Sequence, residues 1–511
     1  MLFRSGSGHF LLYAFDLLER IYEEAWGDPD SPKSEATGRT IREDFETLDD
    51  LRRQVPKMIV EYNLHGIDID PRAVQIAALA LWLRAQKTWK NLGLKAPERP
   101  RIAKSNIVTA EPMPGEEDMR REFTASLKPR VLGQIVDEVF EKMKLAGEAG
   151  SLLKIEEEIK DAVAAAGKQW REGPKPEQQL LFPTMDAPRP KQQELRFDVK
   201  GVTDERFWDQ AEDRILDALK DYAEQAENGQ AVRRRLFAED AARGFAFIDL
   251  CRKRYDTVLM NPPFGLSPKS VFGYFKNAYS DTYVDLYACS VTRGRTLAPL
   301  GSVGAITSRA FLTTKKLVRW RTNEVVEYLQ VLLDLGLGVM DDAFVEACAF
   351  VLSGHASPTF VAFNRRDTVE KSALINDPRS ADTYVVDRTN IKSLPAAKIL
   401  YSVSPRIHAL LRNKNVFEPN IGTAREGLRT FDDYRFLRLR WEVPPICIGS
   451  NKIWEPLAKG GEFARYYSDL PLLVRWDTYG KELAEENRKV NGQVAQSRQA
   501  SEYYRRAGGT Y

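Results

Sequence analysis

The tetrapeptide Asn261-Pro262-Pro263-Phe264 follows directly on an apolar run, Tyr255 to Met260 (YDTVLM). These residue types in this order suit one chemistry. The lone pair of an aromatic exocyclic amine is delocalised into its ring, so the nitrogen is a poor nucleophile. Two acceptors placed around the NH2 draw its hydrogens and favour a tetrahedral nitrogen. The Asn261 side-chain oxygen and the Pro262 carbonyl could supply both. The paired prolines stiffen the turn, because each fixes its own φ and restricts the residue before it. Phe264 could stack on a base drawn out of a duplex. The same four residues would also serve simply as a turn that closes a strand and leaves a Phe exposed.

Two further groups could hold a nucleotide-like ligand. Gly6-Ser7-Gly8-His9-Phe10 opens an apolar-periodic run. Glycines there would let backbone approach a ligand, and a helix N-terminus offers unpaired N–H groups. A flexible chain start would look the same. Gly66-Ile67-Asp68-Ile69-Asp70-Pro71 places an acid after a second apolar segment. A carboxylate at a strand end can accept from ribose hydroxyls, and Asp68 suits that role. Ile69 could pack on an adenine ring. Asp70, next to Pro71, suits a helix cap. Two ordinary strand-end acids remain the alternative.

The elements that must position these residues follow from periodicity. Phe10 to Ala25 has apolar residues at helical spacing, and Ala73 to Trp89 is a second strong helix. Ile41 to Gln54 is charged and helical in pattern. Tyr62 to Ile69 reads as a strand, so strand, acidic turn and helix follow in the order of a doubly wound sheet. Strand patterns return at Tyr255 to Met260, Ser302 to Thr307, Leu329 to Leu335 and Val345 to Leu352. Between them, from about Glu111 to Phe245, charged helical stretches flank a Pro/Gln-rich piece near residues 172–193, the composition of a flexible linker. Beyond Tyr401 the pattern is irregular and aromatic.

Composition narrows the classes. The chain has 511 residues, 43% of them hydrophobic, which implies two or three domains with real cores. It has no run of eighteen apolar residues, which argues against a membrane span. Cys251, Cys289, Cys348 and Cys447 are scattered, and His9, His65, His355 and His408 lack metal-ligand spacing. That disfavours zinc and disulfides, implies no metal, and suits a reducing cytoplasm. The net charge is +2, but residues 401–511 hold 18 Lys+Arg against 13 Asp+Glu, which makes that part +5. A basic, aromatic end fits a nucleic-acid partner and equally fits an ordinary surface.

Read together, these pieces resemble the amino-methyltransferases in which the cofactor motif precedes the catalytic motif and target recognition lies C-terminal. The likeness is greatest to the large adenine methyltransferases of phage-exclusion (BREX, PglX-type) and restriction-modification systems. GSGHF resembles the cofactor loop, NLHGIDIDPRAVQIAALALWLRA the ribose-binding strand and helix, NIVTAEPMPG the third motif, and NPPFG the catalytic motif. DLYACSVTRGRTLAPLGSVGAITSRAFL and DLGLGVMDDAFVEACAFVL resemble the closing part of the sheet. RLRWEVPP, KGGEFARYYSDLPLLVRWDTYGKEL and SEYYRRAGGTY resemble the start of a target-recognition half.

The resemblance implies a Rossmann-like class I methyltransferase sheet, seven-stranded and mostly parallel with one antiparallel strand. It implies a cofactor-binding half at 1–110, a helical insertion at 111–250, a catalytic half at 251–400 and an α+β target-recognition region from 401 to 511. It implies S-adenosyl-L-methionine as cofactor, with Gly6 and Gly8 at its methionine end, Asp68 on the ribose, Ile69 on the adenine and Asn106 at the adenine amine. Asn261 and the Pro262 carbonyl, stiffened by Pro263, would grip the target amine. Phe264 and Met340 would contact the base. The partners implied are double-stranded DNA and other subunits of such a system, and the activity is adenine-specific (N6) DNA methylation in phage defence or restriction-modification.

The sequence departs from the family pattern at three places. Met1 to Ser5 stand where the family has an acid, a Pro and two small residues after a strand, so the loop's acid and most of the first strand are expected to be missing. Met340 stands where an aromatic is expected, and the sequence stops at Tyr511 where relatives continue. The reading is of a chain shortened at both ends. Two alternatives stay open: a catalytically impaired DNA-binding or assembly subunit, and a methyltransferase for protein glutamine or RNA adenine, since NPP[FY] also serves those amines.

Overall fold

In the computed structural model the described residues are 2–4, 8–34, 37–128, 130–172, 204–224, 231–339, 345–355, 357–366, 383–413, 418, 421–425, 427–459, 469–485 and 504. They divide into two compact units, Met1–Arg412 and Asn413–Tyr511.

The first unit is built on a sheet of nine strands in the order β3-β2-β1-β4-β5-β7-β6-β8-β9. The strands are β1 (Leu2–Arg4), β2 (His65–Asp68), β3 (Asn106–Thr109), β4 (Thr257–Met260), β5 (Ser302–Ser308), β6 (Leu329–Gly336), β7 (Ala347–Ser353), β8 (Thr359–Asn364) and β9 (Thr383–Asp387). From β3 to β5 all neighbours are parallel. β7 runs antiparallel to both β5 and β6, β8 is parallel to β6, and β9 is antiparallel to β8. The sheet thus has nine strands where seven were expected, and a second antiparallel strand, β9. The cause is local: β8 and β9 (TFVAFN and TYVVD) carry β-branched and aromatic residues and add two strands beyond β6. The first strand, expected to be largely missing, is present as Leu2–Arg4, paired on one side with β2 and on the other with β4.

Period-two alternation sends successive strand residues to opposite faces. Ile107 of β3 and Leu259 of β4 face a layer made by the helices His9–Gly27, Leu48–Met58 and Pro71–Asn91, with Leu11, Phe15, Leu51, Leu81 and Trp89 buried between them. Ile67, Val258 and Met260 face the other layer. That second layer includes the helix Leu286–Leu297 and helices of the insertion: Glu117–Ser126, Arg130–Lys142, Lys160–Glu172, Asp204–Glu224 and Ala231–Arg252. Among its described residues the insertion adds no strand. It is nonetheless part of the core, because Phe123, Val136, Phe237 and Phe245 are buried in one cluster with the sheet residues. The Pro/Gln-rich stretch falls mainly on residues 173–200, outside the described residues.

The second unit contains a three-stranded antiparallel sheet, β10 (Leu437–Leu439), β12 (Leu472–Arg475) and β11 (Trp454–Leu457), with Phe436, Leu473 and Val474 buried. Among the described residues no helix is long and apolar enough to cross a membrane.

Candidate active site

The chain leaves β4 after Met260, whose side chain is buried, and enters the Asn261–Phe264 turn. Asn261 and Pro263 are exposed, Pro262 is buried and Phe264 is half-buried. The burial pattern pins the turn by its second residue and leaves the amide accessible. The Phe264 ring meets Tyr287 edge-on, with centroids 6.2 Å apart at 82°. Tyr287 in turn packs on Trp320, Trp320 on Phe311 and Phe311 on Phe350, a chain of edge contacts running back into the core.

Gly265 ends the turn at φ +100, a conformation that favours glycine. Its N–H donates to the Asp285 carboxylate at 3.0 Å and its carbonyl accepts from Leu286 N–H at 2.8 Å. The Asn261–Phe264 turn is therefore tied at both polar groups of Gly265 to the start of the helix Leu286–Leu297. Burial pushes the Asp285 carboxyl above its ordinary range, and the Gly265 N–H opposes that shift. Sequence reasoning missed Asp285. Its signal was a polar residue placed directly before a helical apolar run.

On the other side of β1, Asp68 ends β2 half-buried, and its carboxylate accepts from Asp70 N–H at 3.0 Å. Ile69 next to it is 45% exposed, a large apolar side chain left open at a strand end. Asp70 caps the helix Pro71–Asn91, accepting from Arg72 N–H at 2.9 Å, with Pro71 in the first turn. The Arg72 guanidinium beside it holds the Asp70 carboxyl below its usual value. Gly8 precedes the helix His9–Gly27 at φ +88, and a Cβ there would lie 3.2 Å from Ala77 of the neighbouring helix. The glycine thus permits close approach of two helices, His9–Gly27 and Pro71–Asn91. Gly6 lies outside the described residues.

The register fixes how these parts relate. Arg4 is opposite Ile67 and Phe3 opposite Leu259. Asp68 and Asn261 therefore each stand one step beyond the level of Arg4, on the two strands that flank β1. With strands about 4.8 Å apart, their backbones are separated by roughly 10 Å, two strand spacings across β1. Here the strand order reverses from β1-β2-β3 to β4, the crevice where open α/β sheets take ligands.

The structure does not bring Asn106 to this crevice. Asn106 begins β3, opposite His65, and its amide donates to the Glu61 carbonyl at 2.8 Å. Asp68 is level with Thr109 instead. The acid that follows the carboxyl end of β3 is the half-buried Glu111, which sequence reasoning passed over. Ala110 N–H donates to the Asp68 carbonyl at 2.8 Å and holds that end of β3 against β2. Gly336, the last residue of β6, holds φ +67; Met340 lies outside the described residues.

The chain belongs to the family of Eco57I restriction-modification methylases, whose family model matches residues 62–335. Among curated proteins it is 22% identical to the adenine-specific methyltransferase PglX of Lacticaseibacillus casei (strain Zhang), covering 96% of this chain and 36% of the relative. It is 24% identical to the adenine-specific methyltransferase BrxX of Escherichia coli O9:H4 (strain HS), covering 94% of this chain and 36% of the relative. The chain thus spans about a third of the length of these relatives. Among solved structures, the ATP-dependent Type ISP restriction-modification enzyme LlaBIII bound to DNA aligns with 71% of this chain and 17% of its own, at 11% identity and a TM-score of 0.31, a loose likeness.

Proposed function

We propose that this chain carries the catalytic core of an S-adenosyl-L-methionine-dependent enzyme that methylates the N6 amine of an adenine flipped out of duplex DNA, within a phage-defence or restriction-modification system. One observation carries the reading: Asn261-Pro262-Pro263-Phe264 and Asp68-Ile69 end the two strands that flank β1, at one level of the sheet.

The residues present fit the cofactor. Asp68 is a carboxylate suited to ribose hydroxyls, Ile69 an open apolar surface suited to an adenine face, and Glu111 an acceptor suited to the adenine amine. Gly8 lies where the backbone runs beside the helix start. When bound, S-adenosyl-L-methionine supplies a methyl group already activated as a sulfonium. The protein's own task is then orientation. The Asn261 side-chain oxygen and the Pro262 carbonyl accept the two amine hydrogens and turn the nitrogen lone pair out of the ring. Phe264 stacks on the base, and its contact with Tyr287 keeps the ring in place.

The cysteines argue for an amine over a ring carbon as target. Methylation at carbon needs a thiolate nucleophile; burial pushes the thiols of Cys251, Cys289 and Cys348 up to about 12, and the half-buried Cys447 follows Ile446, outside any Pro-Cys turn. The basic balance of residues 401–511 and the exposed Tyr434 and Trp441 support a nucleic-acid partner. Other subunits of such a system are the proposed protein partners.

Calorimetry with S-adenosyl-L-methionine, followed by tritium transfer to duplex DNA, RNA and glutamine peptides with products resolved, tests the reading. N6-methyladenine from DNA is expected. Binding of the cofactor with product only on RNA or peptide would reassign the substrate.

A further inference from the structure

The insertion makes a contact with the proposed cofactor site. Between its helices Arg130–Lys142 and Lys160–Glu172, residues 143–158 form a string of short turns, with Ala146, Ala149, Leu152, Leu153 and Ile155 buried. This string passes the carboxyl ends of successive strands. A Cβ on Gly147 would lie 3.2 Å from Pro112 Cδ, in the loop after β3. A Cβ on Gly150 would lie 2.7 Å from Ile69 Cγ2, in the loop after β2. Gly150 holds φ +57 there, so both its backbone and its lack of a side chain are needed.

The same string is fastened to the catalytic half. The Ser151 carbonyl accepts from Arg293 Nε at 2.9 Å, the Leu152 carbonyl from the Tyr279 hydroxyl at 2.8 Å, and the Tyr274 hydroxyl from Lys154 N–H at 2.9 Å. Arg293, 1% exposed, donates through both terminal nitrogens to the Glu156 carboxylate, and Glu148 bonds Ser270 beyond the Gly265 turn. A buried, bidentate ion pair is held to one geometry, because removing either partner strands a charge away from water.

We propose that residues 148–156 form a wall of the adenosine end of the cofactor site, with Gly150 seating Ile69 against the adenine and the Arg293–Glu156 pair holding the wall to the catalytic half. The proposal rests on the cofactor reading above. Gly150 is then a positioning residue: it fixes Ile69 without touching the ligand through a side chain of its own. Gly150→Ala drives a methyl into Ile69 Cγ2, and one of them must move.

The test is a double-mutant cycle read by calorimetry with S-adenosyl-L-methionine on the whole chain. Leucine lacks the Cγ2 methyl that Gly150→Ala would meet, so Ile69→Leu removes the collision and keeps an apolar side chain. Gly150→Ala alone should weaken cofactor binding by roughly tenfold or more, the scale of overpacking in a filled site. In the Ile69→Leu background the loss from the same substitution should be several-fold smaller. A change that acted only through backbone strain or general stability would give the same loss in both backgrounds. Equal losses, or no loss from Gly150→Ala, would overturn the proposal while leaving the cofactor reading intact. No binding by the unaltered chain would overturn both.

Discussion

Asp285→Ala should disable the catalytic turn without disturbing cofactor binding. In the structure the Asp285 carboxylate accepts the Gly265 N–H at 3.0 Å, and Gly265 sits at φ +100 directly after Phe264. Removing the carboxylate leaves that N–H without its acceptor and frees a left-handed glycine to relax. A hydrogen bond to a charged group contributes about 1.5–3 kcal/mol. If that energy now holds the turn in place, its loss lowers methyl transfer by roughly tenfold to a hundredfold. Asp285→Asn keeps an acceptor oxygen and should cost only a few-fold, since a neutral bond is worth about 0.5–1.5 kcal/mol.

The pH response of this bond has a definite sign. Burial raises the Asp285 carboxyl above its ordinary range. The charge-assisted bond is present above that raised value and weakens as pH falls through it, so activity should drop on the acid side earlier than an ordinary aspartate would allow. The Asn variant should lack that step. Single-turnover rates across pH, with cofactor affinity measured in parallel, decide the matter. Full activity in Asp285→Ala, or an Asn variant as damaged as the Ala variant, would refute the reasoning.

Three other outcomes follow from the same geometry. Asp68→Ala should weaken S-adenosyl-L-methionine binding by about 1.5–3 kcal/mol, the range for a lost hydrogen bond to a carboxylate, as read by calorimetry; unchanged affinity would move the ribose role elsewhere. Phe264→Ala should lower transfer by the worth of one stacked base, about 1–3 kcal/mol, whereas Phe264→Trp should keep part of the rate. Burial raises the Glu324 carboxyl to about 7, opposed chiefly by the Thr292 hydroxyl that donates to it at 2.8 Å. A raised carboxyl contributes stability that is full below the unfolded value near 4.5 and is lost as pH rises through 7. The wild-type melting temperature should therefore fall between pH 5 and pH 8 by more than that of Glu324→Gln.

Much of the sheet was legible because its strands are short, apolar and bounded by turn chemistry. YDTVLM ends at a Pro-Pro pair, and Asp70-Pro71 marks a helix start, so β4 and the junction of β2 with its helix could be read from sequence. The Asn106 assignment shows where such reading stops. In NIVTAEPM no turn residue appears before Pro112, so nothing marks Thr109 as the strand's end, and the carboxyl end of the strand lies three residues past Asn106. β8 and β9 carry ordinary strand patterns, but β8 pairs with β6 and not with β7, which precedes it in the chain. Pairing of that kind depends on the completed sheet. The insertion was legible as charged helical stretches, but not as part of the core beneath the sheet. Its fastening runs through Arg293 and Glu156, 137 residues apart, and no local pattern announces a partner at that distance.

The most direct test of the central claim is Asn261→Ala, compared with the unaltered chain by tritium transfer to duplex DNA, with product nucleosides separated and cofactor binding measured on the same samples. Asn261 is exposed at the end of β4, whereas Asp68 and Ile69, the residues proposed to hold the cofactor, follow β2 across β1. The account predicts that N6-methyladenine appears with the unaltered chain and disappears in Asn261→Ala, while S-adenosyl-L-methionine binds both nearly alike. Undiminished N6-methyladenine in Asn261→Ala, or 5-methylcytosine as the product of the unaltered chain, would contradict it.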